Sequence, residues 1–156
     1  MPRKPREEMP GGVYHVYARG NARARIFRDD ADYALYAELL RRVVRGWRWS
    51  CSSYCLMPNH IHLLIETTEP NLGEGMQRLQ SLYAQVFNAT YGRSGHLFQG
   101  RFGAVRICTQ AQLDAVLDYI ALNPVEAGLC GTPEDWPWSS SGARPELVSA
   151  GLRGLA

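Results

Sequence analysis

The stretch WRWSCSSYCLMPNHIHLLIE, Trp47 to Glu66, decides how this chain folds. Trp47 to Met57 is rich in aromatic and small β-compatible residues and reads as a strand. Pro58-Asn59 breaks the run, because proline withdraws a backbone donor and asparagine tolerates turn geometry. His60 to Glu66 then forms a strand running back beside the first. With a period of two, His60, His62, Leu64 and Glu66 share one face, and Ile61, Leu63 and Ile65 share the other. The aliphatic set fits a core under helices. The histidine set is then expected on the open side of the sheet.

Upstream, GGVYHVYARGN (Gly11 to Asn21) alternates Val13, His15 and Tyr17 against Tyr14, Val16 and Ala18, the pattern of a half-buried strand. Asp29 is placed to cap a helix from Ala31 to about Arg45, with Leu35, Leu39 and Val43 in its apolar stripe. Downstream, Asn71 to Gly92 reads as a second helix, with Leu72, Met76, Leu79, Tyr83 and Phe87 on one side. A Gly- and Arg-rich loop leads to a fourth strand near Phe102 to Cys108. The next helix opens with a capping box, Thr109 with Gln112, and is expected to stop at Pro124. The tail PEDWPWSSSGARPELV is turn-rich, with a short ordered piece at most. The order β-α-β-β-α-β plus one more helix predicts an α+β, ferredoxin-like antiparallel sheet carrying an additional C-terminal helix. One domain over residues 1–156 is expected, with its core at about 11–140.

Composition is ordinary for a globular chain, 46% apolar and 21% charged, and no apolar run approaches the about 20 residues that span a bilayer. The first twelve residues are basic but lack an apolar segment behind them, so no secretory signal is expected and the cytoplasm is the default location. Cys51, Cys55, Cys108 and Cys130 have no zinc-ribbon spacing and are expected to be reduced packing residues; Cys51 and Cys55 could share a strand face. The net charge is only +2, yet residues 1–48 carry eleven basic against six acidic side chains, and sixteen of the seventeen basic residues in the chain are arginines. The arginine fork suits phosphate and base edges, which suggests nucleic acid as partner. A GC-rich genome would write the same bias.

Two neutral imidazoles a strand pitch apart can bind one divalent cation, or can simply fill a strand face. A metal reading needs a third ligand. On the helix after Thr109 the core stripe is Leu113, Val116, Leu117 and Ile120, and Tyr119 and Asn123 lie beside it, i and i+4 on one flank. They could equally be a boundary ring and a helix-end amide.

Four segments then fit one pattern: MPNHIHLL (57–64), YIALNPVEAGL (119–129), YHVYARGNARARIF (14–27) and GHLFQGRF (95–102). They resemble the single-tyrosine HUH transposases of the IS200-like group, and most of all the REP-associated tyrosine transposases tied to repetitive extragenic palindromes. The likeness runs from about Gly11 to Ser140. It implies a ferredoxin-like fold, Mg²⁺ or Mn²⁺ held by His60, His62 and Asn123, and Tyr119 as the nucleophile that cuts single-stranded or hairpin DNA. It further implies a 5′-phosphotyrosine intermediate and a free 3′-hydroxyl. This chain departs at Ala121, where the family commonly has histidine, and at Glu126, where it has arginine; neither belongs to the minimal catalytic set.

The expected DNA grips are Arg19, Arg23, Arg25, Arg93 and Arg101, with Tyr14, Tyr17, Phe98 and Phe102 as rings for unpaired bases. His15 and His96 read as packing or DNA-contact residues outside the metal set. A monomer is the expected state, with a dimer as the alternative. Two rivals remain: a non-catalytic module that binds hairpin nucleic acid for regulation, and a small hydrolase whose metal activates water without Tyr119.

Overall fold

The computed structural model describes residues 8–142; the end of the turn-rich tail lies outside them, as do residues 1–7. Seven main elements follow one another: β1 (Val13–Arg19), α1 (Asp30–Gly46), β2 (Ser50–Met57), β3 (His60–Glu66), α2 (Leu72–Tyr91), β4 (Gly103–Ile107) and α3 (Gln110–Glu126). The strands form one sheet in the order β2-β3-β1-β4, every neighbouring pair antiparallel. This is the ferredoxin-like arrangement expected from the sequence, with α3 added.

Alternation sorts the sheet into two cores. Tyr14, Val16, Ala18, Ile61, Leu63 and Ile65 bury one face against α1 and α2, where Tyr36, Leu40, Met76, Leu79 and Tyr83 are fully enclosed. On α1 the buried stripe is centred on Tyr36 and Leu40, with Leu35 at its edge. The other face is not open. Val13, Cys55, Met57, Leu64 and Ile107 pack there beneath Leu113 and Ile120 of α3. These aliphatic groups alternate with the histidines, and withdrawing them from water is what draws the helix across the sheet. The expectation of an uncovered histidine face is therefore corrected: the face is half-roofed, and His62 is buried.

Other local readings change as well. β2 starts at Ser50 rather than Trp47, because Arg48 takes a left-handed φ of 58° as the chain leaves α1. A bulge between Cys51 and Ser53 shifts the register of β2, so Cys51 enters the first core and Cys55 the second. The two thiols do not share a face; Cys108 is exposed, so the packing expectation fails there, and Cys130 is half-buried. Helix α3 passes through Pro124 and ends two residues later at Glu126. A Schellman cap closes it: Gly128, at φ 76°, donates to Val125 O at 3.0 Å and Leu129 N donates to Pro124 O at 2.9 Å. The tail is more ordered than its composition suggests. Its segment 138–140 pairs with the outer edge of β2, Leu56 N donating to Trp138 O at 2.8 Å and Ser140 N to Tyr54 O at 3.0 Å. Trp138 stacks on Tyr33 with ring centroids 5.2 Å apart. This segment covers a sheet edge that would otherwise expose unpaired backbone groups.

Candidate active site

β3 begins immediately after the two-residue Pro58-Asn59 turn, which is pinned from outside by Gly20 N donating to Asn59 O at 2.8 Å and Ile26 N to Pro58 O at 2.9 Å. His60 and His62 therefore leave a fixed strand end, facing the flank of α3 that carries Tyr119 and Asn123. Asn123 bridges the imidazoles: its Oδ1 lies 3.0 Å from His60 Nε2 and its Nδ2 lies 3.4 Å from His62 Nε2. The Tyr119 ring meets His62 edge-on at a centroid distance of 5.2 Å. Tyr119 is 47% exposed. All four residues expected at the site meet, from one chain.

The far nitrogens of both imidazoles are also engaged. Asn59 Oδ1 lies 2.7 Å from His60 Nδ1, while Asn59 Nδ2 donates to Arg23 O at 3.3 Å and so fixes which way the amide points. His15 Nε2 lies 3.0 Å from His62 Nδ1. Burial lowers the pKa of His15. Burial likewise lowers that of His60, with the Arg19 charge adding and the Asn123 contact opposing. His62 is brought down to about 3, by burial first and then by its two histidine neighbours. The rings are thus neutral near pH 7, with one N–H each.

Neutral His60 has a single N–H for two carboxamide oxygens, Asn59 Oδ1 at 2.7 Å from Nδ1 and Asn123 Oδ1 at 3.0 Å from Nε2. In the tautomer that places this proton on Nδ1, toward the nearer oxygen, the Nε2 lone pair faces Asn123 Oδ1. When His62 Nδ1–H donates to His15, its Nε2 lone pair points to the same space and accepts from Asn123 Nδ2 at 3.4 Å, a long contact. Three acceptors converging this way suit a small divalent cation, and each imidazole is oriented by a partner on its other nitrogen, as metal-binding histidines usually are. Among the described residues no group of three His, Cys, Asp or Glu is placed to hold a metal, so the amide is needed as the third donor.

The pair opens into a cleft of about 660 Å³ lined by Tyr17, Arg19, Arg23, Asn59, His60, His62, Gln99, Arg101, Gly103 and Tyr119. Of the five expected arginines, Arg19, Arg23 and Arg101 are here. Arg25 lines a separate hollow beside Trp136 and Leu129, and Arg93 is held at Asn88 by a 2.8 Å hydrogen bond and lies over Phe87. Of the four rings expected for stacking, Tyr14, Phe98 and Phe102 are buried in the first core, which strand alternation and the loop's docking require; Tyr17 alone is exposed. His96 is exposed and away from the cleft lining. Sequence reasoning missed the placement of His15, Asn59 and Gln99. The shared parity of His15 and Tyr17 on β1 was a signal for the first; the other two depend on how loops fold back. Ala121 is half-buried and Glu126 exposed.

Comparison with known proteins agrees with this picture. The family model described as "Transposase IS200 like" matches residues 9–123. The chain belongs to the IS200-like transposase family. It is 34% identical over 134 residues to a protein of Haemophilus influenzae described as a REP-associated tyrosine transposase, covering 74% of this chain and 76% of that one. Among solved structures, a REP-associated tyrosine transposase bound to a REP hairpin superposes with a TM-score of 0.75 at 19% identity, over 100% of this chain and 96% of that one. A transposase of Deinococcus radiodurans R1 gives 0.53 at 16% identity, covering 76% and 95%. The tRNA(His) guanylyltransferase of Saccharomyces cerevisiae gives 0.51 at 12% identity, covering 86% and 79%. At these identities the structural likeness speaks for the fold alone, and a nucleotidyltransferase among the matches shows that this fold hosts other chemistry. Among the described residues no helix is long and apolar enough to cross a membrane.

Proposed function

We propose that this protein cuts and rejoins single-stranded DNA beside repetitive extragenic palindrome hairpins, with Tyr119 as the nucleophile and a 5′-phosphotyrosine link as the intermediate. The observation that carries the reading is the Asn123 carboxamide, 3.0 and 3.4 Å from the two histidines, with the exposed Tyr119 ring 5.2 Å from His62. The relative from Haemophilus influenzae and the solved complex with a REP hairpin point to the substrate class.

His60 Nε2, His62 Nε2 and Asn123 Oδ1 would hold a Mg²⁺ or Mn²⁺. Bound there, the ion would supply Lewis-acid stabilisation of charge on the scissile phosphate, and a neutral amide ligand keeps it electrophilic. Arg19, Arg23 and Arg101 neutralise the incoming backbone and set its register. A phenol is a weak nucleophile until it is oriented and relieved of its proton. The rigid α3 flank and the His62 edge hold Tyr119 over the cleft. Its oxygen bonds to phosphorus, the P–O3′ bond breaks, and the strand leaves as a 3′-hydroxyl that takes up a proton. The ester energy stays in the phosphotyrosine, so a second 3′-hydroxyl can reverse the step. One chain supplies every group, so a monomer suffices.

The test is a hairpin oligonucleotide incubated with the protein and Mn²⁺ and run on a denaturing gel. A covalent band that disappears in Tyr119→Phe is expected. Cleavage surviving that change would instead indicate a metal-activated water, and binding without cleavage a regulatory module.

A further inference from the structure

Tyr17 and Gly103 sit opposite each other across β1 and β4, while Tyr17 faces His62 on its other side. Tyr17 is 43% exposed, although the same strand buries Tyr14 and Val16. Its ring lies over Gly103: a Cβ placed on that residue would overlap ring carbons and crowd the phenol oxygen. Gly103 has an ordinary negative φ, so backbone conformation does not demand glycine there. Space for the Tyr17 ring does. Beside it, Arg19 directs Nε and Nη2 at Gln99 Oε1, at 3.2 and 3.0 Å, and this orients the guanidinium at the cleft lining, its Nη1 making no hydrogen bond among the described residues. Gln99 is itself anchored, its backbone N donating to Arg19 O at 2.8 Å.

A ring seated on a bare backbone strip, with a pre-oriented guanidinium two residues along the same strand face, matches what an unpaired nucleotide needs: a flat apolar surface for the base and a fixed cation for its phosphate or acceptor edge. We propose that Tyr17 on Gly103, together with the Arg19–Gln99 pair, forms a nucleotide subsite that takes one unpaired base next to the scissile phosphate. This rests on the reading of the cleft as a single-strand DNA site. It gives Gly103 and Gln99 defined tasks, as the seat and the splint.

The test uses the full chain and a hairpin oligonucleotide whose single-stranded extension carries 2-aminopurine at each position in turn. Binding is followed in EDTA, so that the strand stays uncut. The expected result is fluorescence quenching confined to one position on binding. Tyr17→Trp should keep the quench and the affinity. Tyr17→Leu should lose the quench and bind about 5- to 150-fold more weakly, the range for one base–aromatic stack. Gly103→Ala, which keeps Tyr17 but unseats its ring, should behave like Tyr17→Leu. Gln99→Ala should weaken binding with the quench intact. Wild-type quench and affinity in either Tyr17→Leu or Gly103→Ala overturns the subsite. Covalent adduct formation with Mn²⁺ is measured alongside. An adduct with an indifferent Tyr17 sinks the subsite and leaves the strand-cutting reading standing. A Tyr17-dependent quench without any adduct does the reverse.

Discussion

Asn123 Oδ1 lies 3.0 Å from His60 Nε2, a contact between residues 63 positions apart that ties the flank of α3 to the first residue of β3. One carboxamide thereby ties the helix that carries Tyr119 to the imidazole pair. Asn123→Ala should lower Mn²⁺ affinity by about 10- to 100-fold, read from the free-ion EPR signal, with the fold unchanged by circular dichroism. Unchanged affinity would remove Asn123 from the ligand set.

His15 touches His62 from the side away from the cleft, 3.0 Å from Nδ1. His15→Ala frees the His62 ring and should cost about 10-fold or more in Mn²⁺ affinity. His15→Gln, which can still accept, should recover most of it. If both variants bind Mn²⁺ like the wild type, His15 only packs.

Tyr119 is half-exposed and contributes no core volume. Tyr119→Phe should leave the melting temperature within a degree or so and reduce covalent DNA capture by on the order of 10³-fold or more. A persistent adduct would identify another nucleophile.

Arg19 and Arg101 line the cleft, while Arg93 is committed to Asn88. Replacing either cleft arginine by alanine should lower the slope of log affinity against log salt by about 0.7 for single-stranded DNA. Arg93→Ala should leave that slope alone. Equal effects from all three would mean that the strand follows a different path.

Burial pushes the Cys51 and Cys55 thiols up to about 12 from 9.0. Since the folded values lie above the unfolded one, their contribution to stability is complete below pH 9 and declines as pH rises from about 9 towards 12, where only the unfolded chain gives up these protons. Buried Tyr36 and Tyr83, also raised by burial, act in the same direction. Denaturant midpoints should therefore fall above pH 9. Iodoacetamide at pH 8 should label exposed Cys108 in the native chain and reach Cys51 and Cys55 only after unfolding.

The sequence by itself determined the elements and their order. Strand parity separated Ile61, Leu63 and Ile65 from the histidines, and the 3.6-residue period put Tyr119 and Asn123 on one flank, because both are short-range consequences of backbone geometry. The histidine face was read as open, although Val13 and Leu64 share its parity with His15 and His62, and these are the groups that α3 covers. Only the tertiary structure decided that α3 would cross there, that His15 would sit behind His62, that Tyr17 would lie on Gly103, and that three of five arginines would meet in one cleft. Those outcomes depend on strand register, on the bulge in β2 and on loops folding back over many residues. Burial of the second core brings α3 across the sheet, and no local stretch of the chain encodes it.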